Sequence, residues 1–224
     1  MITIENLEKP FHFDSGEDKV LDQVNLSLKS GEITALNGVS GSGKSTLLTI
    51  IAGLQNATNG KIYIDGVELT NLKESELRQR RASQFGFIFQ QSHLIPFLSV
   101  KDQLSFMIET AGRKWSRKVR EEKIDAMLEA VDMMKHKNSD PNNLSGGEKQ
   151  RVAIARALIH EPEILFADEV TASLDSKRSK QVMEIIRHIA ETRKITVLMV
   201  THDEDMLQYA DRIVTMKDGK ILEI

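Results

Sequence analysis

Alternating apolar and polar positions characterise the first third of the chain. Apolar side chains occupy every second position in ITI (2–4), VNLSL (24–28) and KIYI (61–64), and the last run ends in an Asp65-Gly66 turn. Because neighbouring side chains of a strand point to opposite faces, this period of two predicts antiparallel strands between residue 1 and about residue 66.

Continuous apolar runs characterise the last third. ILFA (164–167) and ITVLMV (195–200) are almost entirely apolar, and a helix is predicted between them from about 176 to 191. Strands that are apolar on both faces and alternate with helices predict a parallel α/β sheet. A turn through Asp218-Gly219 predicts a closing hairpin.

A helical period separates these two regions. One helix is predicted through Leu104 and Ile108, and another through an apolar stripe from Val119 to Val131. The basic cluster at 113–120 is best explained as the solvated face of the second helix. We therefore expect an inserted group of helices between about 90 and 143.

Composition limits the classes of protein to consider. The chain has 224 residues, 40% of them hydrophobic, which is enough to bury a core as one globular unit. The absence of cysteine excludes disulfides and thiolate chemistry, and the net charge of -3 lacks the basic excess of a nucleic-acid binder. No N-terminal signal pattern and no run of about 18 apolar residues occurs, so we expect a chain that is soluble by itself.

A glycine-rich loop joins a predicted strand, ITALN (33–37), to a predicted helix. GVSGSGKST matches G-x-x-x-x-G-K-[ST], in which backbone amides and the lysine bind phosphates and the following hydroxyl binds Mg²⁺. We assign Lys44 a catalytic role and Ser45 a role as Mg²⁺ ligand. The predicted phosphate-binding residues are Gly38, Val39, Ser40, Gly41, Ser42, Gly43, Lys44, Ser45 and Thr46.

Chemically active side chains follow both predicted parallel strands. Asp168 and Glu169 come directly after ILFA, at the sheet edge where ligands of parallel sheets bind. Asp168 is predicted to hold the Mg²⁺ shell, and Glu169 to polarise the water that attacks the γ-phosphate. Thr201-His202 follows the other strand, where an isolated histidine is more often structural than chemical.

A second glycine pair begins the stretch LSGGEKQRVAIARAL (144–158). Ser145 and Glu148 form a capping box at the start of a helix. The cap does not account for Gly146 and Gly147, because glycine in a first turn weakens a helix by up to about 1 kcal/mol relative to alanine. The pair is explained if a phosphate approaches the backbone amides closely.

These motifs, in this order, resemble a known family. The phosphate loop, LSGGEKQR, ILFADE, SLD and VTHD resemble, over essentially the whole chain, the nucleotide-binding subunit of ATP-binding cassette (ABC) transporters. The resemblance implies an α/β P-loop NTPase with a parallel sheet core, an N-terminal antiparallel β subdomain and a helical insertion. It also implies one ABC ATPase domain over 1–224, with the core in 1–89 and 160–224 and the helical subdomain and signature helix in about 90–159.

The resemblance further implies roles for single residues. Gln90, or Gln91 in the less favoured register, would touch Mg²⁺ and report on a docked membrane partner. His202 would be a switch histidine that contacts the γ-phosphate, with a catalytic role, and Asp175 of SLD would cross a dimer interface.

Two further positions concern the adenine and the catalytic glutamate. Phe11, or Phe13, fits the aromatic side chain that stacks on adenine in the family. Val170 stands where the family commonly has proline after the glutamate, so the setting of Glu169 is expected to differ slightly.

The resemblance also explains why one chain carries two phosphate-type loops. In the family two subunits face head to tail, so that Ser145, Gly146 and Gly147 of one subunit close on the γ-phosphate held by the other. Glu148 is predicted with them as a cofactor-binding residue. A homodimer with two ATP and Mg²⁺ is therefore expected, working with a membrane permease at the cytoplasmic face of the membrane and without nucleic acid.

The stretch at 81–104, RASQFGFIFQQSHLIPFLSVKDQL, is similar to one subclass of the family. That subclass pairs with four-helix permeases bearing large extracytoplasmic domains and handles haem, antimicrobial peptides, lipoproteins or macrolides. We therefore predict the ATPase subunit of an exporter for haem or antimicrobial peptides. The alternatives are the ATPase of a small-solute importer and a soluble cassette ATPase without a transport role.

Overall fold

One antiparallel sheet contains the N-terminal strands. The computed structural model describes residues 1–13, 16–172 and 174–222, and their side chains outside 11–18. The strands of this sheet are β1 (Ile2–Phe13), β2 (Gly16–Leu28), β4 (Asn59–Ile64) and β5 (Val67–Glu68), in the order β2-β1-β4-β5. The alternation in the sequence predicted this sheet, because one face of β1, of β2 and of β4 supplies buried side chains.

A second sheet contains the parallel core. Its strands are β3 (Ile33–Asn37), β6 (Phe85–Ile88), β7 (Ile164–Asp168), β8 (Thr196–Val200), β9 (Arg212–Lys217) and β10 (Lys220–Leu222). The order is β10-β9-β3-β8-β7-β6; β9 to β6 run parallel, and β10 closes the predicted hairpin with β9.

Helices connect and cover the strands. They are α1 (Lys44–Ile51), α2 (Glu74–Gln84), α3 (Val100–Thr110), α4 (Arg117–Ala130), α5 (Gly146–Leu158), α6 (Ser176–Arg193) and α7 (Glu204–Leu207), with short 3-10 helices at Met134–His136 and Pro141–Asn143. Helix α2 was not predicted, because only Leu77 of its side chains is buried and no apolar stripe marks it. No helix in the described ranges is both long and apolar enough to cross a membrane.

Side chains of the parallel strands alternate between two cores. In β7, Leu165 and Ala167 face a core that includes residues of α3, α4, α5 and α6. Ile164 and Phe166 face a core shared with α1 and the antiparallel sheet. Both faces of the sheet are therefore covered, which leaves the ends of the strands as the accessible edges.

The apolar stripe of α4 is shorter than the sequence indicated. Ile124, Met127, Leu128 and Val131 are buried as expected, whereas Val119 in the first turn is 37% exposed. The expectation for Val119 was wrong because the helix begins only two residues earlier, so its first turn lies at the end of the contact with the core.

Candidate nucleotide-binding site

The loop between β3 and α1 requires glycine at two of its positions. A Cβ on Gly38 would lie 2.1 Å from the carbonyl oxygen of Met216, and a Cβ on Gly43, whose φ is 98°, would lie 2.5 Å from that of Val20. The loop therefore packs against the backbone of β9 and β2, with its amides at the N-terminus of α1.

Lys44 places its ammonium inside this loop. Its Nζ donates to the carbonyl oxygens of Gly38 and Val39, both at 2.8 Å, and only 6% of the residue is exposed. A buried cation surrounded by the loop backbone is the arrangement that a triphosphate requires.

Asp168 lies beside Ser45 at the carboxyl edge of the sheet. The Ser45 hydroxyl donates to Asp168 Oδ1 at 3.0 Å. Burial raises the pKa of Asp168, and the Glu169 charge adds to this, while the Ser45 hydrogen bond opposes it. An oxygen pair that includes a destabilised carboxylate gains most from a hard cation, so the pair fits Mg²⁺.

The predicted magnesium ligands do not form an acidic cluster. Within residues 1–13, 16–172 and 174–222 no group of three or more His, Cys, Asp or Glu side chains is placed to hold a metal ion. A set of Ser45, Asp168 and Gln90 contains one such side chain, and phosphate oxygens and water supply further ligands in sites of this kind.

Glu169 and His202 form a pair at the ends of neighbouring strands. His202 Nδ1 lies 3.0 Å from Glu169 Oε1, and the Glu169 amide donates to the Val200 carbonyl at 3.0 Å. The φ of Glu169 is 47°, a left-handed value that is uncommon outside glycine. A proline at 170 would restrict the preceding residue to extended backbone, and Val170 imposes no such restriction.

Gln90 lies close to this edge along the chain. It follows β6 by two residues, and Ile88 at the end of β6 pairs with Ala167, the residue before Asp168. The side chains of Gln90 and Gln91 are both exposed, so both registers stay open. The side chains of Phe11 and Phe13 lie outside those that the structure describes.

The second glycine pair lies at the N-terminus of α5. Ser145 caps the helix and Glu148 completes the capping box, as predicted. A Cβ on Gly147 would lie 3.1 Å from Arg178 Cδ, whereas nothing lies within 4 Å of a Cβ on Gly146. Packing inside the chain thus accounts for Gly147 alone, and Gly146 faces open space.

Asp175 connects α6 to this region. Its carboxylate accepts the Arg178 amide hydrogen at 3.0 Å as the N-cap of α6, and Arg178 is the side chain beside Gly147. By contrast, no hydrogen bond among the described residues joins the loop 38–46 to the stretch 145–148. Within the described part of one subunit the two phosphate-type loops are therefore not hydrogen-bonded to each other.

Sequence reasoning missed the side chains that hold the Gln90 loop and the capping box. Gln150 and Arg156 of α5 donate to carbonyls of residues 89, 92 and 93, and His136 contacts Glu148. Arg156 alone gave a signal, because it interrupts an otherwise apolar stretch of the helix.

Comparison with known proteins gives a consistent result. A family model described as ABC transporter matches residues 21–172. A hemin import ATP-binding protein, HrtA, of Staphylococcus epidermidis is 42% identical over 220 residues, with 98% of each chain covered. The protein of the same name from Staphylococcus aureus is 40% identical over 222 residues, with 99% of each chain covered.

Solved structures show the same similarity in three dimensions. The dimeric, post-hydrolysis ATP-binding cassette MJ0796 bound to ADP and Pi has a TM-score of 0.92 at 36% identity, covering 100% of this chain and 97% of that one. For cbiO1 from Clostridium perfringens, part of the ABC transporter complex cbiONQ, the TM-score is 0.85 at 29% identity, covering 99% and 86%. The chain is therefore a member of the ABC transporter family, an ATP- and Mg²⁺-binding ATPase whose hydrolysis of ATP is coupled to transport.

Proposed function

We propose that this chain is the ATPase subunit of a membrane transporter for haem. The observation that supports haem as the substrate is the match, over nearly the full length of both chains, to relatives named for hemin. The subunit works as a homodimer that encloses two ATP between its protomers, peripherally bound at the cytoplasmic face of a membrane. Its permease is of the four-helix type with a large extracytoplasmic domain, as the similarity of the 81–104 stretch implies.

Each side chain at the sheet edge has its own proposed role in ATP hydrolysis. Lys44 would bind the β- and γ-phosphates, and Ser45 and Asp168 would hold Mg²⁺, which when bound would supply charge neutralisation at the phosphates. Glu169 accepts a hydrogen bond from the attacking water and polarises it. His202 orients Glu169 through their 3.0 Å contact and reaches toward the γ-phosphate. Gln90, or Gln91 in the less favoured register, would complete the metal shell, and the resemblance assigns the adenine contact to Phe11 or Phe13.

The exposed N-terminus of α5 supports the proposed dimer. Ser145 is exposed at the N-terminus of α5, and Gly146 beside it faces open space. A helix N-terminus with free amides attracts an anion. A second subunit, turned head to tail, brings the γ-phosphate on its own loop to this position, with Asp175 at the interface.

The dimer is tested with the Glu169→Gln variant. Removal of the carboxylate that polarises water should stop hydrolysis and leave ATP between the subunits. Light scattering should show a dimer with saturating ATP and Mg²⁺ and a monomer without nucleotide. A monomer under both conditions would contradict the proposed arrangement.

Transport of haem is tested by deleting the gene and complementing it with wild type or Glu169→Gln. We propose export, as the subclass resemblance implies, so the deletion strain should accumulate haem and become sensitive to added hemin. The relatives are named for import, and import predicts less intracellular haem and poorer growth on hemin as iron source. Unchanged haem content and growth would contradict haem as the substrate, and antimicrobial peptides would then be tested in the same strains.

A further inference from the structure

A histidine outside the expected site touches the cap of α5. His136 ends the 3-10 helix Met134–His136, and its Nε2 lies 3.1 Å from Glu148 Oε1. Glu148 Oε2 in turn accepts the Ser145 amide hydrogen at 2.9 Å and the Ser145 hydroxyl hydrogen at 2.8 Å. His136 thus contacts a carboxylate whose two hydrogen bonds come from Ser145.

The carboxylate in the middle of this chain is strongly stabilised as an anion. Hydrogen bonds from the amide and hydroxyl of Ser145 lower the pKa of Glu148 to about 2, and the charges of His136 and Arg151 add to this. The side chains of His136 and Glu148 are 25% and 22% exposed, so water replaces these contacts only in part. Glu148 is therefore ionised and depends on its donors.

The free subunit uses the Ser145 hydroxyl internally. Its hydrogen is donated to Glu148, and its oxygen accepts the Glu148 amide hydrogen at 3.4 Å. A Ser145 hydroxyl that donates to the γ-phosphate of a partner subunit must break its bond to Glu148. The carboxylate then loses one of its donors at the moment when another anion arrives.

We propose that His136 is a positioning residue for the dimer: its Nε2, 3.1 Å from Glu148 Oε1, holds the Glu148 carboxylate in place and compensates its charge when Ser145 turns its hydroxyl to the partner's γ-phosphate. The inference rests on the proposed dimer and adds a residue to it. His136 touches neither phosphate nor metal, and it acts through Glu148 alone. Ser139, whose hydroxyl lies 3.4 Å from His136 Nδ1, supports the ring from the other side.

Substitutions at His136 in the Glu169→Gln background test this role. His136→Ala should weaken ATP-dependent dimerisation by about threefold per site, or about tenfold for two sites, as expected for the loss of one partly exposed polar contact. His136→Gln carries an N–H near the position of Nε2 and should restore the wild-type value. His136→Asn is too short and should resemble His136→Ala. The exposed His188 gives the matched control, and His188→Ala should change nothing.

Sedimentation velocity at varied protein concentration measures the dimer, and fluorescent ATP at high dilution measures nucleotide binding by the monomer. Monomer binding should be the same in all variants, because His136 serves the partner's site. Equal dimerisation of His136→Ala and its parent, or no rescue by His136→Gln, would overturn the role. So would a matching loss of monomer binding. If the Glu169→Gln parent itself stays monomeric with ATP, the proposed dimer is contradicted, and the role of His136 in that dimer is contradicted as well.

Discussion

Asp168, a proposed Mg²⁺ ligand, is a partly buried carboxyl group that lowers the stability of the ligand-free fold at neutral pH. Burial, and secondarily the Glu169 charge, raise its pKa above the ordinary value of 3.8. The folded state then binds this proton more tightly than the unfolded state. The free energy of unfolding therefore falls as pH rises from about 3.8 through the folded pKa, and at neutral pH the ionised carboxylate destabilises the ligand-free fold.

Asp168→Asn should therefore stabilise the ligand-free protein while abolishing Mg²⁺-dependent ATP hydrolysis. The amide oxygen can still accept the Ser45 hydrogen bond, and no buried charge remains. We expect the Tm at pH 7 to rise by about 2 °C, with the gain shrinking toward about pH 4. Calorimetry at both pH values measures it, with the exposed Asp218→Asn as control. A lower Tm at pH 7 would contradict this account.

At the scale of elements, α5 connects two functional loops. Its N-terminus carries Ser145, and its middle holds the loop that contains Gln90. Arg156 donates to the carbonyls of Ser92 and His93, both at 2.7 Å. Gln150 donates to the carbonyl of Phe89 at 3.2 Å. A shift of α5 must therefore move the loop, so one rigid helix can transmit motion between the two.

Arg156→Met should loosen this connection. Methionine keeps an apolar stem but donates no hydrogen bond, so the two hydrogen bonds to the loop carbonyls and the positive charge are lost. We expect the free energy of unfolding to fall by about 2 kcal/mol and the Mg²⁺ concentration for half-maximal ATPase activity to rise several-fold. Urea denaturation and a Mg²⁺ titration measure the two effects. Lys149→Met on the same helix is the control. An unchanged Mg²⁺ requirement in Arg156→Met would show that the contact with α5 does not position the Gln90 loop for Mg²⁺.

At the scale of the whole molecule, ligand binding should stabilise the fold through linkage. In Glu169→Gln, which keeps its ATP, nucleotide at 100 times its Kd adds about 2.7 kcal/mol, equivalent to about 5–10 °C in Tm for a chain of this size. Addition of Lys44→Ala should remove most of the shift, because the ammonium inside the loop is lost. Scanning calorimetry with ATP, with and without EDTA, measures it. A full shift in the double variant would contradict the role of Lys44.

The sequence predicted those parts of the molecule that local pattern determines. Glycine spacing predicted the loop before Lys44, and continuous apolar runs predicted β7 and β8 with Asp168 at a strand end. Contacts between distant segments left no such pattern. The approach of His136 to Glu148 depends on how a 3-10 helix packs beside α5, and the left-handed backbone of Glu169 occurs where its amide bonds to Val200 of the neighbouring strand. Helix α2 was not predicted for a different reason: only Leu77 of its side chains is buried, so no apolar stripe marks the helix in the sequence.

The proposed head-to-tail dimer, in which the two loops of one subunit serve different ATP sites, has a genetic consequence. A Lys44→Ala subunit lacks a working phosphate loop but carries a normal Ser145, and a Ser145→Arg subunit has the opposite defect. In a mixed head-to-tail dimer both defects fall in one composite site, and the other site is entirely wild type. Two inactive alleles expressed together should therefore complement each other and restore part of the ATPase activity, whereas either allele alone should not.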